Sequence, residues 1–494
     1  MALAATLGLA TTLGLSACAV GPNYHPPAPP TQDGYTHEPL PARTKSTGVA
    51  GPGGEAQRFD VGADLPGQWW TLFGSAKLDT LIKQAMVSYP DIAAQRAGLR
   101  EDREEVRAGE GSFLPQFQGQ GSASRSQTPG ALYFPGLPNF IENFFAATVG
   151  VSYTFDFFGK ERRTVEALRA QAVEQGFVLE ASYLTLTSDV ATAAIDVASV
   201  RDQIAATQEI IAIDAKALSV VQRRYQLGSQ TRADVLQQET NLAGVRATLP
   251  PLEQKLAQAE HQLALLTGRS PRDAAPLELQ LSDLQLPQDL PVSLPSSLVA
   301  QRPDIRQQAA VVHQMSAQIG VATANMLPQL TLSGTDLGNE STNMATLAES
   351  ASGIWGLGGQ ITAPLFEGGT LRAKRRAAVD AYDQAVAQYR LVVLQAFQKV
   401  ADALTALEHD AQALAAQRDA LEAAAASLDL TRKQYAIGAV DQVTLLSAQQ
   451  SYQTARLNYV VALASRYSDT VTLFAALGGG WWHRKDPGTL QAHR

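Results

Sequence analysis

The feature that most constrains this chain is an internal duplication. Tyr225-Gln226-Leu227-Gly228 returns as Tyr435-Ala436-Ile437-Gly438, and the same interval of 210 residues pairs Arg246 with Arg456 and Gly268 with Gly478. Upstream, Pro90-Asp91-Ile92 returns as Pro303-Asp304-Ile305 and Leu114-Pro115-Gln116 as Leu327-Pro328-Gln329, at an interval of 213. Self-similarity at this period fixes the architecture before any element is assigned, because each copy must build one supersecondary unit. The copies run over 67–269 and 296–480, a Pro-rich linker at 270–295 joins them, and 481–494 forms a tail. Length alone, 494 residues, leaves open several ordinary domains or one very elongated one.

Inside each copy lies a very long helical pattern. Residues 160–226 and 370–436 are rich in Ala, Gln, Leu, Glu and Arg, hold no Pro, and have Gly176 as their one interior glycine. At about 1.5 Å per residue each reaches roughly 100 Å. Apolar or aromatic residues recur every seven: Val190, Val197, Ile204, Ile211, Leu218 and Tyr225 in the first, Val400, Leu407, Leu414, Leu421, Leu428 and Tyr435 in the second. These are coiled-coil seams, and their length excludes an ordinary amphipathic core helix. Second helical patterns follow at 231–267 and 441–477, so Gly228 and Gly438, able to take the left-handed conformation, mark the tips of two helical hairpins. Shorter helices at 90–111 and 303–326 precede the strands.

Between helices the period switches to two. Val149, Val151, Tyr153, Phe155 and Phe157 alternate with Thr148, Gly150, Ser152, Thr154 and Asp156, the apolar-out, polar-in pattern of a tilted membrane strand. Its partner at 113–124 sets Phe117, Gly119, Gly121 and Ala123 against Gln116, Gln118, Gln120, Ser122 and Ser124. The second copy repeats this more weakly at 327–337 and 354–365, with loops expected at 125–145 and 338–353. Four strands per chain cannot close alone, and an open edge in hydrocarbon leaves backbone groups unpaired at several kcal/mol each. Pooling two chains gives eight strands and three give twelve; the larger leaves a useful pore. The alternative is a soluble four-stranded sheet with one face packed on helices.

The first seventeen residues are apolar or small and read as a signal peptide, 1–17, ending in Leu15-Ser16-Ala17-Cys18. No Lys or Arg precedes Cys18, so the charged start usual in such leaders is missing. Cys18 is the only cysteine, so no internal disulfide can form, and its setting resembles the lipobox at which bacterial lipoproteins are cut and acylated. The resemblance implies an N-terminal diacylglycerol and a palmitate on Cys18, and Ala19 rather than Asp after it implies delivery to the outer membrane. Residues 18–66 then read as an extended, lipidated tether hugging the body. A net charge of −8 gives no basic field for nucleic acid, and no apolar run past residue 20 is long enough for a spanning helix. The seven histidines lack ligand spacing, and Gly356 to Gly359 lack the Lys-Ser/Thr of a phosphate loop; no metal, no cofactor and no enzyme is expected. Arg372, Lys374, Arg375 and Arg376, like Lys160, Arg162 and Arg163, start a long helix and read as a solvated collar.

Over nearly its whole length the chain resembles the outer-membrane factor family, the TolC-like channels, and within it the NodT-type lipoprotein branch that serves resistance-nodulation-division efflux pumps. The carriers are Cys18 followed by Val20-Gly21-Pro22-Asn23-Tyr24, Trp69-Trp70 with Phe73 and Leu78, Arg302-Pro303-Asp304-Ile305, Ala324-Asn325-Met326-Leu327-Pro328-Gln329, and Pro364-Leu365-Phe366 with Gly368-Gly369. The resemblance implies an α+β membrane protein: a homotrimer whose twelve-stranded β-barrel in outer-membrane lipid continues as a twelve-helix periplasmic α-barrel, closed at its far end. It implies two further partners, a periplasmic adaptor (membrane fusion) protein and an inner-membrane resistance-nodulation-division transporter. Leu227-Gly228-Ser229 and Ile437-Gly438-Ala439 stand where the family's tips meet the adaptor. Asp441 stands where acidic residues ring the periplasmic gate, with Thr444, Asp234 and Arg232 as further gate residues; Thr444 and Ser447 occupy places where the TolC-type pattern has acids. Asp441 is equally readable as a helix cap. The other readings are a type I secretion exit channel and a structural periplasmic coiled-coil lipoprotein.

Overall fold

In the computed structural model the described residues are 19–28, 30–32, 34–48 and 53–484; the lipidation expected at Cys18 and the end of the tail lie outside them. The chain divides into two compact units, one of Met1–Pro27, Leu99–Gln175 and Gln308–Tyr389, the other of Ala28–Gly98, Gly176–Gln307 and Arg390–Arg494. In chain order the elements are β1 (Arg58–Val61), α1 (Ala76–Ser88), α2 (Pro90–Glu110), β2 (Gln116–Thr128), β3 (Phe140–Phe155), α3 (Lys160–Gln226), α4 (Arg232–Ala247), α5 (Leu249–Leu266), β4 (Asp289–Val292), α6 (Pro295–Gln301), α7 (Pro303–Ala324), β5 (Gln329–Ser341), β6 (Gly353–Thr362), α8 (Thr370–Ala436) and α9 (Gln442–Ala476). The order helix, two strands, long helix, return helix thus runs twice.

The long helices α3 and α8 are 67 residues each. Asp156 starts α3: its carboxylate accepts the N–H groups of Glu161 at 3.1 Å and Arg162 at 3.0 Å, pairing donors that a helix start otherwise leaves free. The return helix of the first copy departs from the single span expected at 231–267. It breaks at Thr248, because Pro250 and Pro251 have no N–H for the preceding turn and are tolerated only in the first turn of a new helix. Its counterpart α9 has no proline and runs unbroken for 35 residues.

In the first unit the strands form one antiparallel sheet in the order β2-β3-β5-β6. They reach further into the loops than alternation indicates: β2 and β3 stay paired to Thr128 and Phe140, leaving 129–139 as the connection. Phe144 and Phe145 break the period of two, but ladder hydrogen bonds belong to the backbone and continue regardless. β6 stops at Thr362 rather than 365, just before Pro364, which cannot donate to a ladder.

The second unit holds the main aromatic core. Trp69 and Phe73 meet Phe474 at centroid distances of 5.7 and 6.2 Å, and Tyr467 lies 6.3 Å from Phe73. Three spans read as unstructured are ordered here. Within the tether, β1 pairs in parallel with β4 of the linker, Arg58 opposite Asp289. Arg466, fully buried on α9, gives its guanidinium to the tether, donating to the Gly53 carbonyl, the Glu55 carbonyl at 2.5 Å and the Thr44 hydroxyl at 3.2 Å. A buried cation costs several kcal/mol unless its donors are satisfied, which makes this stretch part of the body. The first tail residues, Trp481 to His483, form a 3-10 turn, with Trp481 against Phe177 at 5.9 Å.

Candidate functional site

Register turns the sheet into two chemically distinct faces, since residues opposite each other in a ladder point the same way. Phe117 faces Val151, Val151 faces Gly334 and Gly334 faces Leu357; Tyr153 pairs with Leu332, and Phe155 with Leu330 and then Ile361. These apolar residues, drawn from all four strands, therefore share one face. On the other face Gln116 pairs with Ser152 and Ser333, Gln120 with Thr148, and Thr154 with Thr331 and Gln360, every one uncharged. The Thr154 and Thr331 hydroxyls sit 2.9 Å apart there. Asp336, at φ 53, is the extra residue of a bulge in β5, opposite breaks in both flanking ladders. The bulge explains why alternation is weaker in the second copy.

Among the described residues neither face is covered: Phe117 is 72% and Leu357 75% exposed on the apolar side, and β2 is open along nearly its whole length. Within the chain β2 and β6 each pair on one side only, so two edges are free among the described residues. A soluble sheet would bury its apolar face on helices, which this one does not.

The two tips in the second unit follow one design. Ser229 donates to the Arg224 carbonyl at 2.9 Å and Gly228 to that of Tyr225 at 2.9 Å; Ala439 and Gly438 repeat this to Gln434 and Tyr435 at 2.9 and 3.1 Å. This is the Schellman ending, which needs its glycine in the left-handed region, and Gly228 and Gly438 have φ 77 and 76. Leu227 and Ile437 are pushed outward, 69% and 81% exposed, while Ser229 and Ala439 open the descending loops.

The expected gate residues all lie in the helix starts that follow. Asp441 is the N-cap of α9, accepting the Thr444 N–H at 2.8 Å and its hydroxyl at 2.6 Å, bonds that hold the Asp441 carboxyl below the usual carboxylate range. In the first copy the roles are exchanged: Thr231 caps α4 and Asp234, three residues on, accepts the Thr231 N–H at 2.8 Å and hydroxyl at 2.7 Å. Arg232 is the exposed first residue of α4. One copy thus carries its acid at the cap, the other a turn inside.

Pattern reading missed how the tips meet. Tyr435, legible as a repeat and seam residue, accepts a hydrogen bond from Gln230 at 3.1 Å and lies 5.1 Å beneath the Arg224 guanidinium. Nearby, Gln442 donates to Gln238 at 2.7 Å, a buried amide pair joining α9 to α4. Gln238 lies seven residues past its cap and Gln442 directly after its own, so the two do not correspond in the repeat and no one-dimensional signal announces that they touch.

The profile of the family described as "Outer membrane efflux protein" matches in two stretches, residues 81–269 and 294–479. The "Probable efflux pump outer membrane protein TtgC" of Pseudomonas putida is 28% identical over 485 residues, covering 98% of this chain and 96% of that protein. The "Pyoverdine export outer membrane protein OpmQ" of Pseudomonas aeruginosa is 30% identical over 422 residues, covering 84% and 87%. Among solved structures, the outer-membrane channel OprN superposes with a TM-score of 0.81 at 24% identity, covering 94% of this chain and all of that one, which shows a shared fold. With its twice-run element order and two-faced sheet, the chain belongs to the outer membrane efflux protein family.

Proposed function

We propose that this chain is the outer-membrane exit duct of a tripartite efflux pump, lipid-anchored through Cys18 and assembled as a homotrimer. The observation that carries the assembly is the four-stranded sheet with a bare apolar face, a bare polar face whose stretch from Thr148 to Thr154 is uncharged, and two unpaired edges. In a bilayer the apolar face meets lipid, the polar face lines water, and β2 of one chain must pair with β6 of the next, since unpaired ladder groups in hydrocarbon cost several kcal/mol each. Three chains supply twelve strands, enough for a wetted lumen.

The protruding Leu227 and Ile437 on rigid hairpin ends fit a contact with a periplasmic adaptor, through which an inner-membrane resistance-nodulation-division transporter delivers cargo. Asp441 supplies the charge of a periplasmic constriction, with Thr444, Asp234 and Arg232 beside it. The efflux and export roles of the named relatives point to small molecules as cargo. The test is the mass and conductance of the full chain purified from membranes. A particle of three copies that opens discrete channels in planar bilayers is expected; a water-soluble single copy with no conductance overturns the proposal.

A further inference from the structure

Residues 19–24 sit in a built socket in the first unit. Val20 donates its N–H to the Phe158 carbonyl at 3.0 Å, beside the turn from β3 into α3. Arg163 is 4% exposed; it donates to the Val20 carbonyl at 3.2 Å, to Oδ1 of Asn23 at 2.8 Å and to Oε2 of Glu166 at 2.7 Å. The other Glu166 oxygen lies 3.0 Å from Nε2 of His313. The His313 ring stacks on Tyr24 at 4.3 Å and 11°, and the Tyr24 hydroxyl donates to the Ala309 carbonyl at 3.3 Å.

Three glycines make the approach possible. A methyl on Gly21 would strike the backbone of Gly320, one on Gly320 would strike the stem of Arg163, and one on Gly159 would strike Ala19. Gly21 also has φ +96, which a side chain resists. A trailing tether requires none of this; charge-assisted hydrogen bonds in a fitted groove hold a segment in place.

We propose that Arg163, Glu166 and His313, with Gly159 and Gly320, form a socket for residues 19–24 that fixes the lipid-bearing terminus at the junction of β3 and α3. The inference rests on the reading of Cys18 as the acylated residue, one peptide step of about 3.8 Å from Ala19. The junction carries an aromatic strip, Tyr153 to Phe155 at 4.9 Å and Phe155 to Phe157 at 5.5 Å, and barrels place such girdles at the membrane interface. The socket therefore holds the anchor at the level where acyl chains enter the bilayer, so lipid and sheet share one membrane plane.

The experiment is chymotrypsin cleavage after Tyr24 in the full chain in detergent, with the released N-terminal peptide weighed by mass spectrometry. Cleavage requires the segment to leave the socket, so its rate tracks the undocked fraction. The wild type is cut slowly, and Gly21→Ala and Asn23→Ala are each cut at least about tenfold faster, the latter for one lost hydrogen bond to a charged group. Both changes lie in the segment and leave the body folded, as an unchanged melting temperature confirms. Rapid cleavage of the wild type, or a Gly21→Ala rate equal to it, overturns the socket. Slow cleavage with no acyl mass on the released peptide removes the lipid reading of Cys18 alone.

Discussion

Thr231 and Asp441 hold matching places in the two copies, and the exchange between them separates two jobs that one carboxylate could do. The side-chain cap survives in both copies, with acid and hydroxyl swapped between the cap and the residue three further on. Capping therefore does not demand an acid at 441, and what Asp441 adds is charge. Asn caps a helix as well as Asp does, so Asp441→Asn keeps α9 intact while removing the charge. We expect single-channel currents of Asp441→Asn to lose cation preference with no change in melting temperature, whereas Asp441→Ala also loosens the start of α9; wild-type selectivity in the Asn variant would take Asp441 out of the gate. The sequence offered cap and gate as rivals, and the structure shows the first without touching the second.

Two-facedness is a property of elements, and it sets a sharp contrast between substitutions. Leu357→Arg puts a charge on the apolar side of β6 and is expected to cost about 2–4 kcal/mol if it meets the bilayer midplane. Gln118→Arg, on the polar side of β2, is expected to leave folding alone and shift ion selectivity. Urea titrations of the protein refolded into lipid vesicles check the pair, and equal costs would mean the faces are misassigned. Helix spans were the most legible part of this molecule, because 67 residues without proline leave the chain no other local choice. Alternation likewise exposed β3. Strand ends were not legible, since Phe144-Phe145 breaks the pattern while the ladder persists, nor was the β5 bulge, which costs one residue and flips the phase. Proline 250 and 251 were visible, but the weight of the surrounding helical pattern hid their effect. The pairing of β1 with β4, the Arg466 anchor and the socket around Arg163 join residues far apart in the chain, and periodicity carries no record of such meetings.

At the scale of the whole molecule, the second unit carries one acidic pair that bears on stability. Burial and a hydrogen bond with Asp469 push the Asp410 carboxyl up to about 7, against the attraction of Arg466. In the unfolded chain this group ionises near pH 4. Between those values the folded chain keeps a proton that the unfolded chain has released, so stability falls as pH rises through that window and levels off above it. Asp410→Asn, which cannot ionise, is expected to flatten this slope and raise the melting temperature at about pH 8, read from thermal scans across pH; an unchanged slope would show that the pair does not share a proton. The parallel pairing of β1 with β4 has a different kind of consequence. It fastens a stretch that precedes the first copy to one that lies after it, with Arg58 and Asp289 bridged at 2.8 Å. A protease nick near Arg272 would therefore leave two pieces still joined by this ladder and ion pair.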